Sequence, residues 1–296
     1  MGCYEGLLIK GFGSFYTVKL EQETVEARAR GRLKKDRVRL LIGDRVVLEK
    51  EQDTYAIIDV LPRKNSLIRP AVANVDQILV VIAAASPDPN FKQTDKLLAF
   101  LEKAGLDVKI CINKTDLACG KQFADIYRSA GYEVVSISTK RDSDFSVLKE
   151  LLKDKITALA GCSGVGKSSL INGIDSSQNQ TTGEVGKIAR GRHTTTHASL
   201  IPLEFGGFIA DTPGFSVVDI SQIKKEELAA CFREFVPLMR ECRFLGCSHT
   251  KEVGCRILKA VEEGEIAKSR YESYLALYEE LSALIPNYRS RKDSNI

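Results

Sequence analysis

The stretch Gly161-Cys-Ser-Gly-Val-Gly-Lys-Ser-Ser169 decides how this chain folds. It follows the pattern G-x-x-x-x-G-K-S, in which glycines let the backbone wrap closely around an anion. The apolar run Ile156-Thr-Ala-Leu-Ala160 precedes it and predicts a strand, and residues 167–172 predict the start of a helix. A strand, a glycine-rich loop and a helix in this order predict a phosphate-binding loop (P-loop) rather than a plain strand-to-helix turn.

The residues of the P-loop predict contacts with the phosphates of a nucleotide. Its N–H groups and the helix N-terminus face the α- and β-phosphates, and Lys167 reaches the β- and γ-phosphates. The Ser168 hydroxyl is predicted to ligate Mg2+, and Lys167 is also a candidate catalytic residue. The nucleotide contacts predicted in this loop are Gly161, Cys162, Ser163, Gly164, Val165, Gly166, Lys167, Ser168 and Ser169.

Composition limits the classes of protein to which the chain can belong. Its 296 residues suffice for two or three domains, and 44% hydrophobic with 28% charged residues is ordinary for a soluble globular protein. No apolar run approaches the roughly 20 residues that a membrane span needs, and the amino end lacks the pattern of a secretion signal. We therefore expect a cytoplasmic protein without membrane contact, whose eight cysteines are thiols or metal ligands.

Residues 1–67 are predicted to form a small β-barrel of the OB-fold type. Five short segments alternate apolar and polar residues or carry β-branched ones: 6–10, 15–20, 24–28, 45–49 and 55–60. A basic stretch begins at the end of the third segment and contains Arg28, Arg30, Arg32, Lys34, Lys35, Arg37 and Arg39. Such a stretch is either a solvated face of the barrel or a groove that follows a nucleic-acid backbone.

Residues 68–216 are predicted to form an α/β domain with a mainly parallel sheet, because strands and helices alternate along this part of the chain. The run 77–83 is continuously apolar, which is typical of a strand buried on both faces. The other predicted strands are 108–112, 133–137 and 156–160, and the predicted helices are 94–103, 122–129 and 145–153.

A second nucleotide-contacting motif, Asn113-Lys-Thr-Asp116, follows the predicted strand 108–112. It reads N-K-x-D and stands at the carboxyl end of a strand, where ligands bind in parallel sheets. A carboxylate at Asp116 accepts from both the N1–H and the N2 amino group of guanine, which adenine does not offer. The four letters alone also occur in ordinary surface turns. The predicted base contacts are Asn113, Lys114, Thr115, Asp116 and, through its backbone N–H to the guanine oxygen, Ser138.

Two segments after the P-loop are predicted to respond to the γ-phosphate. Residues 175–193 have no periodicity, which predicts a mobile loop. In the threonine run that follows, Thr195 is predicted to complete the Mg2+ shell, with Thr196 as the alternative. The later D-x-x-G begins with Asp211, which would hold Mg2+ through water, and ends with Gly214, whose N–H would contact the γ-phosphate.

These motifs stand in an unusual order, because N-K-x-D precedes the P-loop, whereas common GTPases carry it last. Strands that are neighbours in a sheet need not be neighbours in sequence, so a rearranged connection can preserve the same site. In such a permuted domain, the D-x-x-G segment leads directly into the part of the chain that follows it.

Residues 217–296 are predicted to form a helical zinc-binding domain. Helices are predicted over residues 223–236 and 266–283. Between them stands the pattern C-x4-C-x-H-x5-C, which supplies three thiolates and one imidazole, a full shell for one structural Zn2+. The predicted ligands are Cys242, Cys247, His249 and Cys255. The alternative is a group of reduced cysteines in a small helical core.

Together these residues resemble the circularly permuted GTPases of the RsgA (YjeQ) family, which act on the small ribosomal subunit. The resemblance covers nearly the whole chain: the barrel, N-K-x-D, the P-loop, residues 191–196, D-x-x-G and the Cys/His pattern. It implies that GTP is hydrolysed to GDP and phosphate with Mg2+, that the small subunit stimulates this reaction, that the chain binds ribosomal RNA, and that it acts in late subunit maturation. We expect a monomer.

The residue that orients the attacking water does not stand where Ras-like enzymes carry it. Phe215 occupies the place of their glutamine, and a phenyl ring cannot hydrogen-bond water. His193 is therefore predicted to be the catalytic residue that positions water, with a hinge or an RNA contact as its alternative roles. Two other functions stay open: a GTP-gated RNA-binding module with negligible hydrolysis, and a P-loop kinase or ATPase, which N-K-x-D disfavours.

Overall fold

A computed structural model describes residues 2–31, 39–52, 54–67, 71–142, 144–174, 199–211 and 219–284. The chain divides into two compact units, each built from two separate stretches of sequence. The first unit contains Met1–Val81 with Ile137–Ser216, and the second contains Ile82–Ser136 with Val217–Ile296. The three domains derived from the sequence, 1–67, 68–216 and 217–296, group the chain differently, and their boundaries stay a prediction.

A five-stranded barrel forms the amino-terminal part of the first unit, as predicted. Its strands β1 to β5 are Cys3–Phe12, Phe15–Lys19, Thr24–Ala29, Arg45–Glu51 and Thr54–Val60. β1 pairs with both β2 and β4, and β5 pairs with both β3 and β4, which closes the barrel. Its interior is filled by alternating apolar residues that are fully buried: Leu8, Val18, Val46, Leu48 and Ile57.

The segment after the barrel is bonded back to it. β6 (Ser66–Leu67) pairs with β7 (Val72–Ala73), and the Asn74 side chain donates to the carbonyl of Gly43 at 2.8 Å. The Arg63 guanidinium pairs with the fully buried Asp44 at 2.6 Å. These contacts attach the segment from Arg63 to Asn74 to the barrel.

The parallel strands are those expected from the apolar runs. The remaining strands β8 to β13 are Gln77–Ala83, Val108–Asn113, Glu133–Ser136, Ile156–Ala160, Ser199–Pro202 and Phe208–Asp211. In the first unit, β11 lies between β8 and β13 and is parallel to both. β12 is antiparallel to β13 and also pairs with β1, so the barrel and these strands form one continuous sheet. In the second unit, β9 and β10 pair in parallel.

Six α-helices lie within the described ranges. Helices α1 to α6 are Phe91–Lys103, Lys121–Ser129, Ser146–Leu152, Lys167–Ile174, Arg256–Glu262 and Lys268–Leu284. None of these helices is long and apolar enough to cross a membrane. The apolar patterns of the sequence predict α1 to α4 and α6 within a few residues but do not predict α5.

The prediction of a helix over residues 223–236 is wrong. This segment instead forms short 3-10 turns at Lys225–Glu227 and Ala229–Cys231, and a third follows at Met239–Glu241. From Ala229 onward, the buried residues Ala229, Phe232, Phe235 and Leu238 are spaced three apart, which matches the three residues per turn of a 3-10 helix. The backbone bonds follow that repeat: Phe232 N–H donates to Ala229, Phe235 to Phe232, and Leu238 to Phe235.

A buried ion pair network ties three segments of the second unit together. Arg270 of α6 is only 1% exposed, and its guanidinium contacts Asp95 of α1 at 2.6 Å and Glu234 at 2.7 Å. Asp95 is fully buried and Glu234 is 7% exposed. The aromatic ring of Phe232 lies 4.6 Å from the guanidinium carbon. Both carboxylates therefore depend on one arginine for their neutralisation.

Replacing Arg270 with methionine should lower the free energy of unfolding by about 3–5 kcal/mol, because two buried carboxylates lose their counter-ion. Urea denaturation followed by far-UV circular dichroism measures this loss. The matched control is the triple variant with Asp95→Asn and Glu234→Gln added, which should recover much of the stability. A loss under about 1 kcal/mol for the single variant would show that these charges do not depend on Arg270.

Candidate nucleotide and metal sites

The P-loop connects β11 to α4 and makes a turn that only glycine allows. Gly161, Gly164 and Gly166 have φ angles of 130°, 81° and 98°. A side chain at Gly161 would be strained by its φ angle, and its Cβ would lie only 2.3 Å from the carbonyl oxygen of Val81 in β8. The loop backbone is thus pressed against the neighbouring strand, which leaves its outer side open to an anion.

Lys167 begins α4 and turns its ammonium group back over the loop. Its Nζ donates to the carbonyl oxygens of Gly161 at 2.7 Å and Cys162 at 2.8 Å. Burial lowers the pKa of Lys167 below its ordinary value. Val165 is buried and anchors the loop, whereas Ser168 is exposed. A phosphate at this position would offer the ammonium group stronger, charge-assisted bonds than two neutral carbonyls do.

N-K-x-D forms a tight turn at the carboxyl end of β9. Asn113 is fully buried, and its Oδ1 accepts from the backbone N–H of Lys114 at 2.7 Å. Lys114 has a positive φ of 62°, and its Nζ donates to the carbonyl of Ser86. The N–H of Leu117 closes the turn on the carbonyl of Lys114 at 2.9 Å. Asp116, the predicted guanine contact, is half-buried in this turn.

The backbone N–H of Ser138, predicted to face the guanine oxygen, is used within its own loop. It donates to Oδ2 of Asp142 at 2.6 Å, and Ser138 itself is only 1% exposed. Its Oγ accepts from the N–H groups of Lys140 and Arg141 at 3.3 and 3.1 Å. The predicted contact between the Ser138 N–H and the guanine oxygen stays a prediction.

The predicted γ-phosphate segments are described only in part. Asp211 is the last residue of β13. Because β13 pairs with β11 in parallel, the two strands end at the same edge of the sheet. That edge also carries the start of the P-loop. The other predicted residues of these segments lie outside the described residues, and their roles stay predictions. They are His193, Thr195, Thr196 and Gly214.

The four predicted zinc ligands come together in the second unit. Their ligand atoms all lie within 4.8 Å of one another. The Sγ atoms of Cys242 and Cys255 are 4.0 Å apart, and Nδ1 of His249 lies 3.6 and 3.4 Å from them. Tetrahedral Zn2+ with bonds of about 2.3 Å to sulfur and 2.0 Å to nitrogen needs S–S distances of about 3.8 Å and S–N distances of about 3.5 Å. The cluster therefore fits a single tetrahedral metal ion.

The surrounding structure holds the ligand atoms in place. Tyr271 donates to the carbonyl of His249 at 3.0 Å, and Tyr274 donates to the carbonyl of Ser248 at 2.7 Å. Cys255 stands just before α5, and the N–H of Arg256 points at the sulfur of Cys242 at 3.4 Å. Burial lowers the pKa of His249, which favours the neutral imidazole that metals require.

Glu252 is a supporting residue that the sequence analysis missed. It accepts from the N–H groups of Ser248, Thr250 and Lys251 at 2.7, 3.0 and 3.1 Å, and also from the Ser248 hydroxyl. Burial alone would raise the pKa of Glu252, but these bonds lower it from 4.5 to about 2. The only sign of Glu252 in the sequence was its position: an acidic residue three positions after the predicted ligand His249, in a turn without periodicity.

Replacing Glu252 with glutamine should lower the free energy of unfolding at pH 7 by about 2 kcal/mol, because an amide group would face several donors. The folded-state pKa lies below the unfolded value, so the stabilisation by this carboxylate is complete above about pH 4.5 and is lost as the pH falls toward 2. Urea denaturation of both proteins between pH 7 and pH 3 tests this. A difference that stays constant down to pH 3 would contradict it.

Comparisons with known proteins are consistent with this arrangement. The family model described as RsgA GTPase matches residues 60–221, and the model described as RsgA N-terminal domain matches residues 5–58. The chain belongs to the RsgA family of GTPases. It is 44% identical to the small ribosomal subunit biogenesis GTPase RsgA of Ruminiclostridium cellulolyticum over 295 residues, which covers 97% of this chain and 96% of that protein.

Solved structures confirm the permuted fold of this RsgA-family GTPase. The crystal structure of YloQ, described as a circularly permuted GTPase, matches with a TM-score of 0.82 and 34% identity over 97% of this chain and 98% of that one. YjeQ from Thermotoga maritima matches with a TM-score of 0.79 and 36% identity over 95% and 99%. The predicted fold class, with its barrel and permuted P-loop domain, and the prediction of a GTPase are thus confirmed.

Proposed function

We propose that this GTPase binds GTP through residues 161–169 and 113–116, hydrolyses it to GDP and phosphate, and acts on the small ribosomal subunit in its late maturation. The observation that supports the proposal is the P-loop: three glycines with positive φ angles turn its backbone, and the Lys167 ammonium group lies over the loop, as expected of a phosphate-binding loop. The match to the RsgA GTPase model runs across both motifs. Relatives at 44% identity are named for small ribosomal subunit biogenesis.

Each predicted residue has a defined part in this reaction. Lys167 stabilises the negative charge that develops between the β- and γ-phosphates. Ser168, Thr195 and Asp211 would hold Mg2+, which neutralises charge on the phosphate oxygens. Asp116 selects guanine. The remaining proposed contacts are the Gly214 N–H to the γ-phosphate, the Ser138 loop to the base, and His193 to the attacking water, since Phe215 cannot orient it.

Contact with ribosomal RNA is proposed for the barrel. At the hairpin of β1 and β2, Phe12 and Phe15 are 70% and 47% exposed. The guanidinium of Arg28 lies 4.5 Å from the Phe15 ring centre, so a cation and an aromatic face stand side by side. This combination suits unpaired bases and their phosphates. The proposal includes one structural Zn2+ on the Cys/His cluster, a cytoplasmic location without membrane contact, and a monomeric state.

Phosphate release under multiple turnover tests the proposal most directly. We expect the protein alone to hydrolyse GTP slowly. Purified small ribosomal subunits should accelerate this hydrolysis, and large subunits should leave its rate unchanged. Excess ATP should not compete with GTP for the site. His193→Ala should lose the stimulated turnover while keeping GTP affinity. Competition by ATP would favour the kinase or ATPase alternative. GTP binding with negligible phosphate release on small subunits would favour the GTP-gated RNA-binding module.

A further inference from the structure

We propose that Cys242 and Cys247 form a redox-sensitive pair, which a peroxide oxidises to a disulfide with loss of the bound Zn2+. The inference rests on the structural Zn2+ proposed above. It divides into two pairs the four ligands that the Cys/His pattern of the sequence does not distinguish. Cys255 and His249 form the protected pair of the same site.

The two pairs of ligands differ in their exposure to solvent. Cys255 is 5% exposed and His249 is 2% exposed, and both pack against the hydrophobic core of the second unit. Cys242 and Cys247 are only half-buried. Because oxidants attack exposed thiolates first, we expect oxidation to begin at the half-buried pair.

A cavity of about 320 Å³ gives small molecules access to the half-buried pair. Cys242, Cys247 and His249 line this cavity, whereas Cys255 does not. Leu245 also lines it and is fully exposed, so the cavity opens at the protein surface. One water molecule needs only about 10–15 Å³ of such space, so hydrogen peroxide, a slightly larger molecule, can enter.

The segment between Cys242 and Cys247 has room to move. Leu245 is fully exposed, the Phe244 ring is 50% exposed, and a Cβ added to Gly246 would meet nothing within 4 Å. The two sulfurs lie within 4.8 Å of each other and must approach to about 2.05 Å to form a disulfide. A shift of this exposed segment can bring them together without moving the buried start of α5.

The oxidation balances with one molecule of hydrogen peroxide for each pair. A thiol that binds Zn2+ is a thiolate, which is also the form that attacks peroxide. One sulfur takes an oxygen atom from the peroxide and becomes a sulfenic acid, and the other thiolate then displaces that oxygen as water. In sum, two thiolates, H2O2 and two protons give one disulfide and two water molecules, with two electrons passing from sulfur to oxygen.

Formation of the disulfide removes half of the metal shell. Structural Zn2+ binds thiolates, and the two sulfurs of a disulfide no longer carry the charge that holds the ion. Cys255 and His249 alone leave the shell incomplete. Because a disulfide is reduced by thiols, the loss of Zn2+ is reversible.

The test treats the purified wild-type protein with hydrogen peroxide and follows both metal and thiols. A chromogenic chelator measures the released Zn2+, and mass spectrometry of peptides identifies the disulfides. We expect release of the bound Zn2+, a disulfide between Cys242 and Cys247, and a Cys255 that is still alkylated as a free thiol. A thiol reductant with added Zn2+ should restore the metal content and the near-UV circular dichroism.

Cys247→His and Cys255→His form a matched pair of variants, because each keeps a complete shell of two cysteines and two histidines. Cys247→His lacks one thiol of the redox-sensitive pair and should release Zn2+ at least about tenfold more slowly than the wild type. Cys255→His keeps that pair and should release Zn2+ at the wild-type rate. If either variant binds no Zn2+ before treatment, the disulfide found in the wild type decides the inference by itself.

A disulfide that contains Cys255 would overturn the inference. So would Zn2+ that stays bound while the exposed Cys3, Cys119 and Cys162 are oxidised, since their oxidation shows that the peroxide has acted. These results leave the proposed zinc site intact. If the untreated protein contains no Zn2+, the zinc site of the proposed function is wrong, and this inference fails with it.

Discussion

Replacing Cys255 with serine should release the proposed Zn2+ and unfold its surroundings in the second unit. A structural zinc contributes an apparent binding free energy of about 10–16 kcal/mol at neutral pH, which exceeds the stability of most domains. Cys255 is buried at the start of α5, and its sulfur lies 3.4 Å from Nδ1 of His249. Loss of this ligand leaves an incomplete shell, so the remaining side chains no longer hold the turn together.

The damage should extend into the aromatic core, because the cluster and the core share contacts. The His249 ring lies 6.3 Å from the Phe235 ring, and Tyr274 of α6 donates to the carbonyl next to His249. We expect zinc content, measured by mass spectrometry of the purified protein, to fall from one per chain to none. We also expect the near-UV circular dichroism of the buried tyrosines to diminish.

Cys231→Ala is the control for this experiment. Cys231 is buried in the same hydrophobic core, but its sulfur contacts only the carbonyl of Glu227 at 3.5 Å among the bonds described. Its replacement should cost about 1 kcal/mol and leave the zinc content at one. If the Cys255 variant kept both its metal and its tyrosine signal, the structural zinc site would have to be abandoned.

Gly161→Ala should abolish GTP binding by disrupting the P-loop. An added Cβ would approach the Val81 carbonyl oxygen to 2.3 Å, at a φ angle of 130° that side-chain-bearing residues avoid. Strain of this kind costs about 1–3 kcal/mol for the backbone angle alone, and the clash adds to it. Because a shift of about 1 Å in a positioned group lowers turnover roughly a hundredfold, we expect both GTP affinity and hydrolysis to be lost.

The control variant Gly105→Ala separates the effect of a strained backbone φ angle from the effect of a steric clash. Gly105 also has a positive φ, of 66°, but a Cβ there would meet nothing within 4 Å. This control should lose about 1 kcal/mol of stability and keep full GTP binding, measured by titration with a fluorescent GTP analogue. Wild-type affinity in the Gly161 variant would mean that the loop does not need its close approach to β8.

Much of the candidate nucleotide site could be predicted from the sequence, because each of its motifs consists of residues that are close together in the chain. Gly161 and Lys167 stand between an apolar strand and a helix, and the structure contains that strand, loop and helix at the predicted positions. The prediction for Ser138 was less complete, since nothing in its neighbourhood shows that Asp142 takes its N–H. The helix predicted over 223–236 was wrong because a three-residue repeat was read as a helical one.

The sequence by itself determined the alternation of strands and helices and the order of the motifs, because each strand, helix and motif consists of residues that are close together in the chain. It also predicted the Cys/His cluster, whose four residues are close together in the sequence for the same reason. Only the tertiary structure decided which strands close the barrel, and that β1 continues into the α/β sheet through β12. It also decided that Arg270 neutralises Asp95, 175 positions away. Strand pairings and ion pairs between residues so far apart in sequence depend on how buried surfaces pack and on which buried charges must be neutralised. The periodicity of the sequence does not indicate either of these.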